Sequence, residues 1–211
     1  QKNEKINKIG PDLIGLFEEV FSELDKDDSI KAFVLTSKKK DFIAGADIEA
    51  FQKVEKPGDW KPIAEKGHAI LNQIEKSKKP IVAAIHGNAL GAGLEIALAC
   101  HARIASNDKS TKVALPEVKL GLLPGGGGTQ RLPRLVGLQA ALDMMLTGKN
   151  VFPYPALKMG LVDKVVHVSS LQNAAQKFAL ELVGKPIKRE RNELNLDTVK
   201  AGFPAIQKSL I

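Results

Sequence analysis

The sequence predicts an α/β fold in which mostly parallel strands are flanked by helices. Short apolar runs of strand length alternate with segments in which apolar residues recur every three or four positions. Repeated alternation of this kind is typical of parallel βαβ units covered by helices. The chain has 211 residues, of which 44% are hydrophobic, so it can bury one substantial core.

An amphipathic helix is predicted near the N-terminus, and Pro11 suits its first turn. Its apolar face is formed by Leu13, Leu16, Phe17, Val20, Phe21 and Leu24. A strand at residues 32–35 follows. A lysine-rich turn then leads to the segment around Ala46 and to a loop with Pro57, Gly58 and Trp60. The next predicted helix carries Ile63, Ile70, Leu71 and Ile74.

A buried strand at residues 80–85, a glycine turn and an apolar run at residues 94–105 come next. The run has almost no polar residue, so we predict one buried helix over its length. Glu95 then shares a stripe with Ala99 and Ala102 and faces neither solvent nor a cation. Burial of an unpaired carboxylate is costly or raises its pKa. The ordinary alternative is a first-turn glutamate that points into water.

Glu117 follows a short predicted strand, where an exposed turn is the ordinary interpretation. Four consecutive glycines at residues 125–128 favour a close approach or positive φ. The run is no P-loop, because Thr129 and not Lys-Ser or Lys-Thr follows it. The earlier turn is no dinucleotide fingerprint, because Ile96 stands where the third glycine belongs. The Ala92 N–H, at a helix start, suits an oxyanion hole instead.

Two short helices are predicted after Gly137, separated at Thr147 and Gly148. A strand at residues 161–166 and an amphipathic helix at residues 171–183 complete the pattern. Residues 185–192 form a charged break.

Three stretches together resemble the enoyl-CoA hydratase (crotonase) superfamily. They are IVAAIHGNALGAGLE, which ends at Glu95, LPEVKLGLLPG, which ends at Gly125, and GTQRL, which begins at Gly128. More narrowly, they are similar to the hydratase domain of α subunits of multifunctional fatty-acid oxidation complexes. The resemblance runs from about residue 7 to about residue 183, in the family's order and spacing. It implies the crotonase fold, a spiral of ββα units.

The resemblance also implies a set of site residues. Glu95 and Glu117 match the two catalytic carboxylates, and the N–H groups of Ala46 and Ala92 match the oxyanion hole. Ala92 departs from the glycine that the family often has there. Gly125 matches the residue whose N–H holds the attacking water. Substrate contacts are implied for Ala44, Asp47, Ile48 and Gly93.

The implied reaction is syn addition of water to a trans-2-enoyl-CoA, which gives (3S)-3-hydroxyacyl-CoA in fatty-acid β-oxidation. Some shifting of a 3-enoyl double bond into conjugation is also implied. Glu95 is expected to deprotonate the water and Glu117 to protonate C2, but the division between the two carboxylates stays open. An isomerase that needs one carboxylate, or an acyl-CoA-binding module without turnover, are the alternatives.

No cofactor is expected, because CoA is part of the substrate, and NAD enters only with a dehydrogenase domain. Residues 1–184 are expected to form the hydratase domain without its first strand, and residues 185–211 a charged linker and helical tail. The alternative is that this tail ends a shorter protein. The resemblance implies a thiolase β subunit as partner and a location in the bacterial cytoplasm or the mitochondrial matrix.

Composition excludes several other classes of function. The net charge of +7 indicates either solvated lysine clusters or attraction for the phosphates of CoA. With 5% aromatic residues and no groove-binding motif, nucleic acid is a poor candidate partner.

One cysteine, Cys100, excludes an intramolecular disulfide. The histidines lack metal-ligand spacing, and His86 and His101 are expected to pack or to support the site. No apolar run is long enough to span a membrane.

Overall fold

The computed structural model of the chain describes residues 5–49 and 60–186. It confirms the predicted α/β architecture. The helices are α1 Pro11–Lys26, α2 Trp60–Lys76, α3 Ala92–Ala99, α4 Gly128–Val136, α5 Leu138–Thr147, α6 Pro153–Lys158 and α7 Leu171–Glu181. The strands are β1 Phe33–Leu35, β2 Ile81–Ile85, β3 Asn88–Leu90, β4 Ala102–Ser106, β5 Lys112–Ala114 and β6 Lys164–Val166. Two 3₁₀ turns lie at Glu117–Leu120 and Val168–Ser170.

The strands of the described residues form two parallel sheets. One has four strands in the order β1-β2-β4-β6, and the other pairs β3 with β5. In the larger sheet Val82 lies opposite Val34 on one side and Ala102 on the other. The chain passes from the larger sheet to the smaller one at Gly87, whose φ is 58°. A second glycine turn, at Gly91, joins the end of β3 to the start of α3.

Helices cover both faces of the larger sheet, as alternating side chains of buried strands require. On one face Val82 and Ile104 pack against Leu171, Ala175 and Ala179 of α7. On the other face the main core contains residues of β2, α2, α3, α4 and α5. The candidate site is built on the side of this main core, because α3 and α4 meet there.

The prediction of one helix over residues 94–105 is wrong. Helix α3 ends at Ala99, buried Cys100 follows it, and Ala102–Ser106 is the strand β4. A run that is buried on all sides has no period that separates helix from strand. Ala102 therefore does not share a helical stripe with Glu95. The Arg103 guanidinium, in β4, donates to the Ala97 and Cys100 carbonyls and so stabilises the end of α3.

Other predicted bounds differ more modestly. Strand β6 covers only the end of the predicted strand at residues 161–166, α7 ends two residues earlier than expected, and β3 was not predicted. The helices after Gly137 are confirmed as α5 and α6. In α1, Phe21 is buried and stacks with Phe17, whereas Leu16, Val20 and Leu24 are exposed. The loop with Pro57 and Gly58, and most of residues 185–192, lie outside the described residues.

Within residues 5–49 and 60–186, no helix has the length and apolar character needed to cross a bilayer.

Candidate active site

Glu95 lies in the first turn of α3 with its side chain buried, only 3% exposed. Its Oε1 accepts hydrogen bonds from the N–H groups of Gly126 at 2.7 Å and Gly128 at 2.8 Å. This excludes the interpretation of Glu95 as a glutamate that points into water. The carboxylate is also not unpaired, because the glycine turn supplies two amide donors.

Burial raises the pKa of Glu95, because desolvation penalises the charged form. The amides of Gly128 and Gly126 oppose this rise, as do the charges of Arg131 and His68. The expectation that no cation faces Glu95 is therefore wrong. Two donors on Oε1 leave Oε2 as the oxygen that remains for a proton from solvent or substrate.

The glycine run serves both purposes that its sequence indicated. A Cβ on Gly126 would lie 2.7 Å from Glu95 Oε2, and one on Gly128 would lie 3.0 Å from Oε1. Gly127, between them, has φ of 93°, which side chains rarely adopt. The run therefore allows close approach of backbone to carboxylate at two positions and a left-handed turn at the third.

Glu117 opens the 3₁₀ turn after β5 and is half-buried. Its Oε1 lies over Gly91, where an added Cβ would be 3.0 Å away. Among the described residues, no group donates to or accepts from its buried Oε2. The pKa of Glu117 is raised to about 7: desolvation by burial raises it most, its own backbone N–H lowers it, and the nearby Glu95 carboxylate raises it. An exposed turn is thus the wrong interpretation of this residue.

Ala92 is the first residue of α3, directly after Gly91 with φ of 51°. Amides in the first turn of a helix lack an intrahelical acceptor. None of the described residues other than glycine has a positive φ, so the alanine at this position adopts an ordinary conformation. Its methyl group therefore leaves the N–H in place.

Ala46 lies in a segment that pairs with Ile9. The Ile9 N–H donates to the Gly45 carbonyl at 2.9 Å, and the Asp47 N–H donates to the Ile9 carbonyl at 2.8 Å. Because alternate residues of a parallel pair bond to the same neighbour, the Ala46 N–H points to the opposite side of the segment.

The segment around Ala46 packs directly against the turn before α3. A Cβ on Gly45 would be 3.5 Å from the Leu90 carbonyl oxygen, and one on Gly93 would overlap the Ile43 carbonyl oxygen. The Leu90 N–H also donates to that Ile43 oxygen at 3.1 Å. The backbone segments that carry Ala46 and Ala92 are therefore neighbours, although 46 positions separate them in the chain.

The other expected site residues differ in their surroundings. Ala44 and Asp47 are half-buried, and the Asp47 carboxylate lies 3.8 Å from Lys8 Nζ. Ile48 is 47% exposed. Gly93 is buried against Ile43, so the packing of two backbone segments already accounts for its missing side chain. Gly125 is exposed, and its carbonyl contacts His68 Nε2.

Two residues at this site, His68 and Arg131, were assigned no role from the sequence. His68 contacts the Gly125 carbonyl, and Arg131 donates to the Gly126 carbonyl at 3.0 Å. Arg131 stands within the GTQRL motif, and its position one turn into a glycine-led helix was the available signal. Of the two supporting histidines expected, His101 accepts from the Ile81 N–H and contacts the Ser77 carbonyl, which is a packing role.

A family model of enoyl-CoA hydratase/isomerase matches residues 1–195. The chain belongs to the enoyl-CoA hydratase/isomerase family. This confirms the resemblance first noted in the three motifs.

Curated relatives extend well beyond this chain. It is 51% identical over 185 residues to the fatty acid oxidation complex subunit alpha of Shewanella sp. (strain ANA-3), a match that covers 86% of this chain and 26% of that protein. The corresponding subunit of Shewanella halifaxensis is 48% identical over 200 residues, with 94% of this chain and 27% of that protein covered. The chain thus spans about a quarter of the length of these relatives.

Solved structures share the fold. The enoyl-CoA hydratase of Bacillus anthracis superposes with a TM-score of 0.79 at 31% identity, over 84% of this chain and 68% of that one. The enoyl-CoA hydratase of Thermoplasma volcanium gives 0.78 at 33% identity, over 86% and 71%. The crotonase-type α/β fold that the resemblance implied is therefore confirmed.

Proposed function

We propose that this domain is an enoyl-CoA hydratase that adds water to trans-2-enoyl-CoA thioesters of fatty-acid β-oxidation and forms (3S)-3-hydroxyacyl-CoA. The observation that carries the proposal is the pairing of two unlike carboxylates at the start of α3. Glu95 is held by two amides on one oxygen, whereas Glu117 has a buried oxygen with no hydrogen-bond partner among residues 5–49 and 60–186, and a pKa of about 7. Such a pair suits the transfer of one proton from water and one proton to carbon.

Glu95 acts as the general base. Amide donors on Oε1 favour its anionic form, and Oε2 is then the atom that removes a proton from the attacking water. The oxygen of that water forms a bond to C3 of the substrate. The π electrons of the C2–C3 double bond move toward the thioester carbonyl, which becomes enolate-like. Gly125, in the same turn, is proposed to orient this water through its N–H.

Glu117 acts as the general acid. With a pKa of about 7 the side chain keeps its proton on a large fraction of molecules near neutrality. That proton passes to C2 as the enolate electrons return to carbon, and the thioester carbonyl re-forms. The proton taken by Glu95 must then return to Glu117, directly or through solvent, before the next turnover.

The amides of Ala46 and Ala92 are proposed to stabilise the developing oxyanion. Support comes from the direct packing of their two backbone segments against each other. Loss of one such donor typically costs about 100-fold to 1000-fold in rate. Substrate contacts by Ala44, Asp47, Ile48 and Gly93 remain part of this proposal, with Gly93 acting through its packing against Ile43.

The test is hydration of a short 2-enoyl-CoA, followed by loss of the conjugated enoyl-thioester absorbance. Glu95→Gln and Glu117→Gln should each reduce kcat by more than about 100-fold, because each removes one proton-transfer group. Glu181→Gln is the matched control, since Glu181 pairs with Lys164 on the exposed surface at 3.4 Å. Near-normal turnover by either site variant would contradict the assignment.

A second activity, isomerisation of 3-enoyl-CoA to 2-enoyl-CoA, is proposed as a side reaction of the same carboxylates. An enzyme limited to isomerisation would need only one of them. The position of Glu117 over Gly91, and its electrostatic contact with Glu95, favour a reaction that uses both. A module without turnover would bind acyl-CoA and leave the enoyl absorbance unchanged.

We also propose a wider setting for residues 1–184 as the hydratase domain, with residues 185–211 leading toward a dehydrogenase domain. The relatives are named as α subunits of a fatty acid oxidation complex. A thiolase β subunit is the proposed partner, in the bacterial cytoplasm or the mitochondrial matrix. CoA enters as part of the substrate, and NAD belongs only to an adjoining dehydrogenase domain. Co-purification of the full-length protein with a subunit that has thiolase activity tests this proposal.

A further inference from the structure

Both amides that hold Glu95 belong to peptide groups whose carbonyls are themselves bonded. The Gly126 N–H shares its peptide group with the Gly125 carbonyl, which contacts His68 Nε2. The Gly128 N–H shares its peptide group with the Gly127 carbonyl, which accepts from the N–H groups of Gln130 and Arg131. Because a trans peptide directs its C=O and N–H to opposite sides, His68 lies across the turn from Glu95.

Arg131 fixes the same turn from α4. Its Nη1 donates to the Gly126 carbonyl at 3.0 Å. A Cβ on Gly127 would overlap this nitrogen, so the guanidinium lies directly against the turn. Arg131 is in turn oriented by α2, because Nε and Nη2 both donate to Glu75 Oε2, at 3.0 and 2.9 Å, and Nη2 donates to Asn72 Oδ1.

We propose that His68 and Arg131 are positioning residues that set the place of the Glu95 carboxylate through the glycine turn, and that Glu75 orients Arg131. This inference rests on the proposed function, in which Glu95 is the base. It assigns to α2 a part in catalysis without contact to the substrate. For His68, a donor on the Gly125 carbonyl also strengthens the Gly126 N–H of the same peptide group, whereas the Arg131 side chain acts by fixing the Gly126 carbonyl of the turn.

The surroundings of His68 and Arg131 distinguish a positioning role from direct contact with the substrate. His68, Asn72, Glu75 and Arg131 line a cavity of about 420 Å³ between α2 and α4. In the described part of the chain, neither Glu95 nor Glu117 is among the residues that line it. His68 and Arg131 therefore reach Glu95 through the backbone of the turn and through their charge.

The charges around Glu95 give the inference a distinct signature. Burial raises the pKa of Glu95, and electrostatic interaction with Arg131 of α4 and His68 of α2 lowers it, whereas Glu117 of the 3₁₀ turn faces it as an acid. Arg103 of β4 lies at the far end of α3. Removal of a cation should raise the pKa of Glu95, so its base form should appear only at higher pH.

The experiment measures the titration of the Glu95 carboxyl by ¹³C NMR in the 211-residue chain, with Glu95→Gln to assign the signal. It also measures kcat and KM for hydration of a short 2-enoyl-CoA. Arg131→Gln should move the titration and the acidic limb of the rate profile to higher pH. It should lower kcat by between about 10-fold and 100-fold with little change in KM, because the base is displaced.

Companion variants separate position from charge. Glu75→Gln removes the carboxylate that orients Arg131, so kcat should fall. The Arg131 cation stays in place, so the Glu95 titration should not move upward. His68→Phe should lower kcat, and His68→Gln, which retains an N–H donor, should restore most of it. Arg134→Gln is the matched control, one turn further along α4, where the guanidinium donates to Gln130.

Each outcome decides the matter. An unchanged Glu95 titration and unchanged kcat in Arg131→Gln and His68→Phe would overturn the inference and leave the hydratase proposal intact. Lower melting temperature with an unmoved titration would also overturn it, because that is the result of a merely structural role. If Arg131→Gln does not fold, Arg131→Lys and Glu75→Gln provide the same comparison. A wild-type chain that does not hydrate enoyl-CoA refutes the proposed function, and the titration still tests the coupling.

Discussion

Gly126→Ala is the sharpest perturbation that the structure offers, because it changes the position of Glu95 without removing its carboxylate. The new Cβ would lie 2.7 Å from Glu95 Oε2 and 2.9 Å from its carboxyl carbon. Ordinary contact begins at 3.4 Å, so Oε2 must retreat by about 0.7 Å, the difference of 3.4 and 2.7 Å. Oε1 then loses part of its 2.7 Å bond to the Gly126 N–H.

A displacement approaching 1 Å at a reacting group can cost about 100-fold in rate, so kcat for hydration should fall by between about 10-fold and 100-fold. The fold should change little, because the obstructing atoms are the end of a flexible side chain. Gly67→Ala is the matched control, since a Cβ there has no neighbour within 4 Å in the described structure. It should retain full kcat and gain at most about 1 kcal/mol in the free energy of unfolding.

The assay combines the rate of loss of enoyl-thioester absorbance with thermal unfolding of both variants. Retention of wild-type kcat by Gly126→Ala, with an unchanged unfolding temperature, would refute the reasoning that the place of Glu95 Oε2 governs the rate. An equal fall in kcat in Gly126→Ala and in the control Gly67→Ala would also refute it.

Three further predictions follow from the same geometry. Hydration should slow as pH rises through about 7, because Glu117 must hold its proton to act as the acid, and a rate profile that rises there would contradict that role. Folding raises the pKa of Glu117 from 4.5 to about 7, so the stability that its protonation contributes is complete below pH 4.5 and is lost as the pH rises to about 7. Glu117→Gln should therefore make the unfolding temperature less dependent on pH between these two values. Gly93→Ala should destabilise the fold by about 1 to 3 kcal/mol or more in denaturant unfolding, since its Cβ overlaps the Ile43 backbone, and an unchanged midpoint would show that the Ile43 segment moves freely.

The sequence was sufficient for the alternation of helices and strands and for the burial of Glu95. Both follow from local patterns. The spacing of apolar residues predicts the alternation, and a carboxylate in an apolar run directly after a glycine turn predicts the burial of Glu95. The boundary between α3 and β4 was not predictable in this way, because residues buried on all sides show no period. Arg103, the one basic residue apart from His101 in the run at 94–105, lies in the strand that the pattern concealed.

The partners of the carboxylates could not be read from local patterns. The bonds from Gly126 and Gly128 to Glu95 join positions 31 and 33 residues apart, and the contact of His68 with Gly125 spans 57 residues. Such contacts depend on how α2, α3 and α4 pack. The resemblance predicted Glu95 and Glu117 as the catalytic pair, and the structure shows why their environments differ.

The most direct test of the account is a crystal structure of the chain bound to a 3-hydroxyacyl-CoA. The account predicts that the thioester oxygen lies about 3 Å from the backbone nitrogens of both Ala46 and Ala92. It also predicts that the 3-hydroxyl group lies between the carboxylates of Glu95 and Glu117. A thioester oxygen beyond hydrogen-bond distance of both amides, or a hydroxyl group that contacts neither carboxylate, would contradict it.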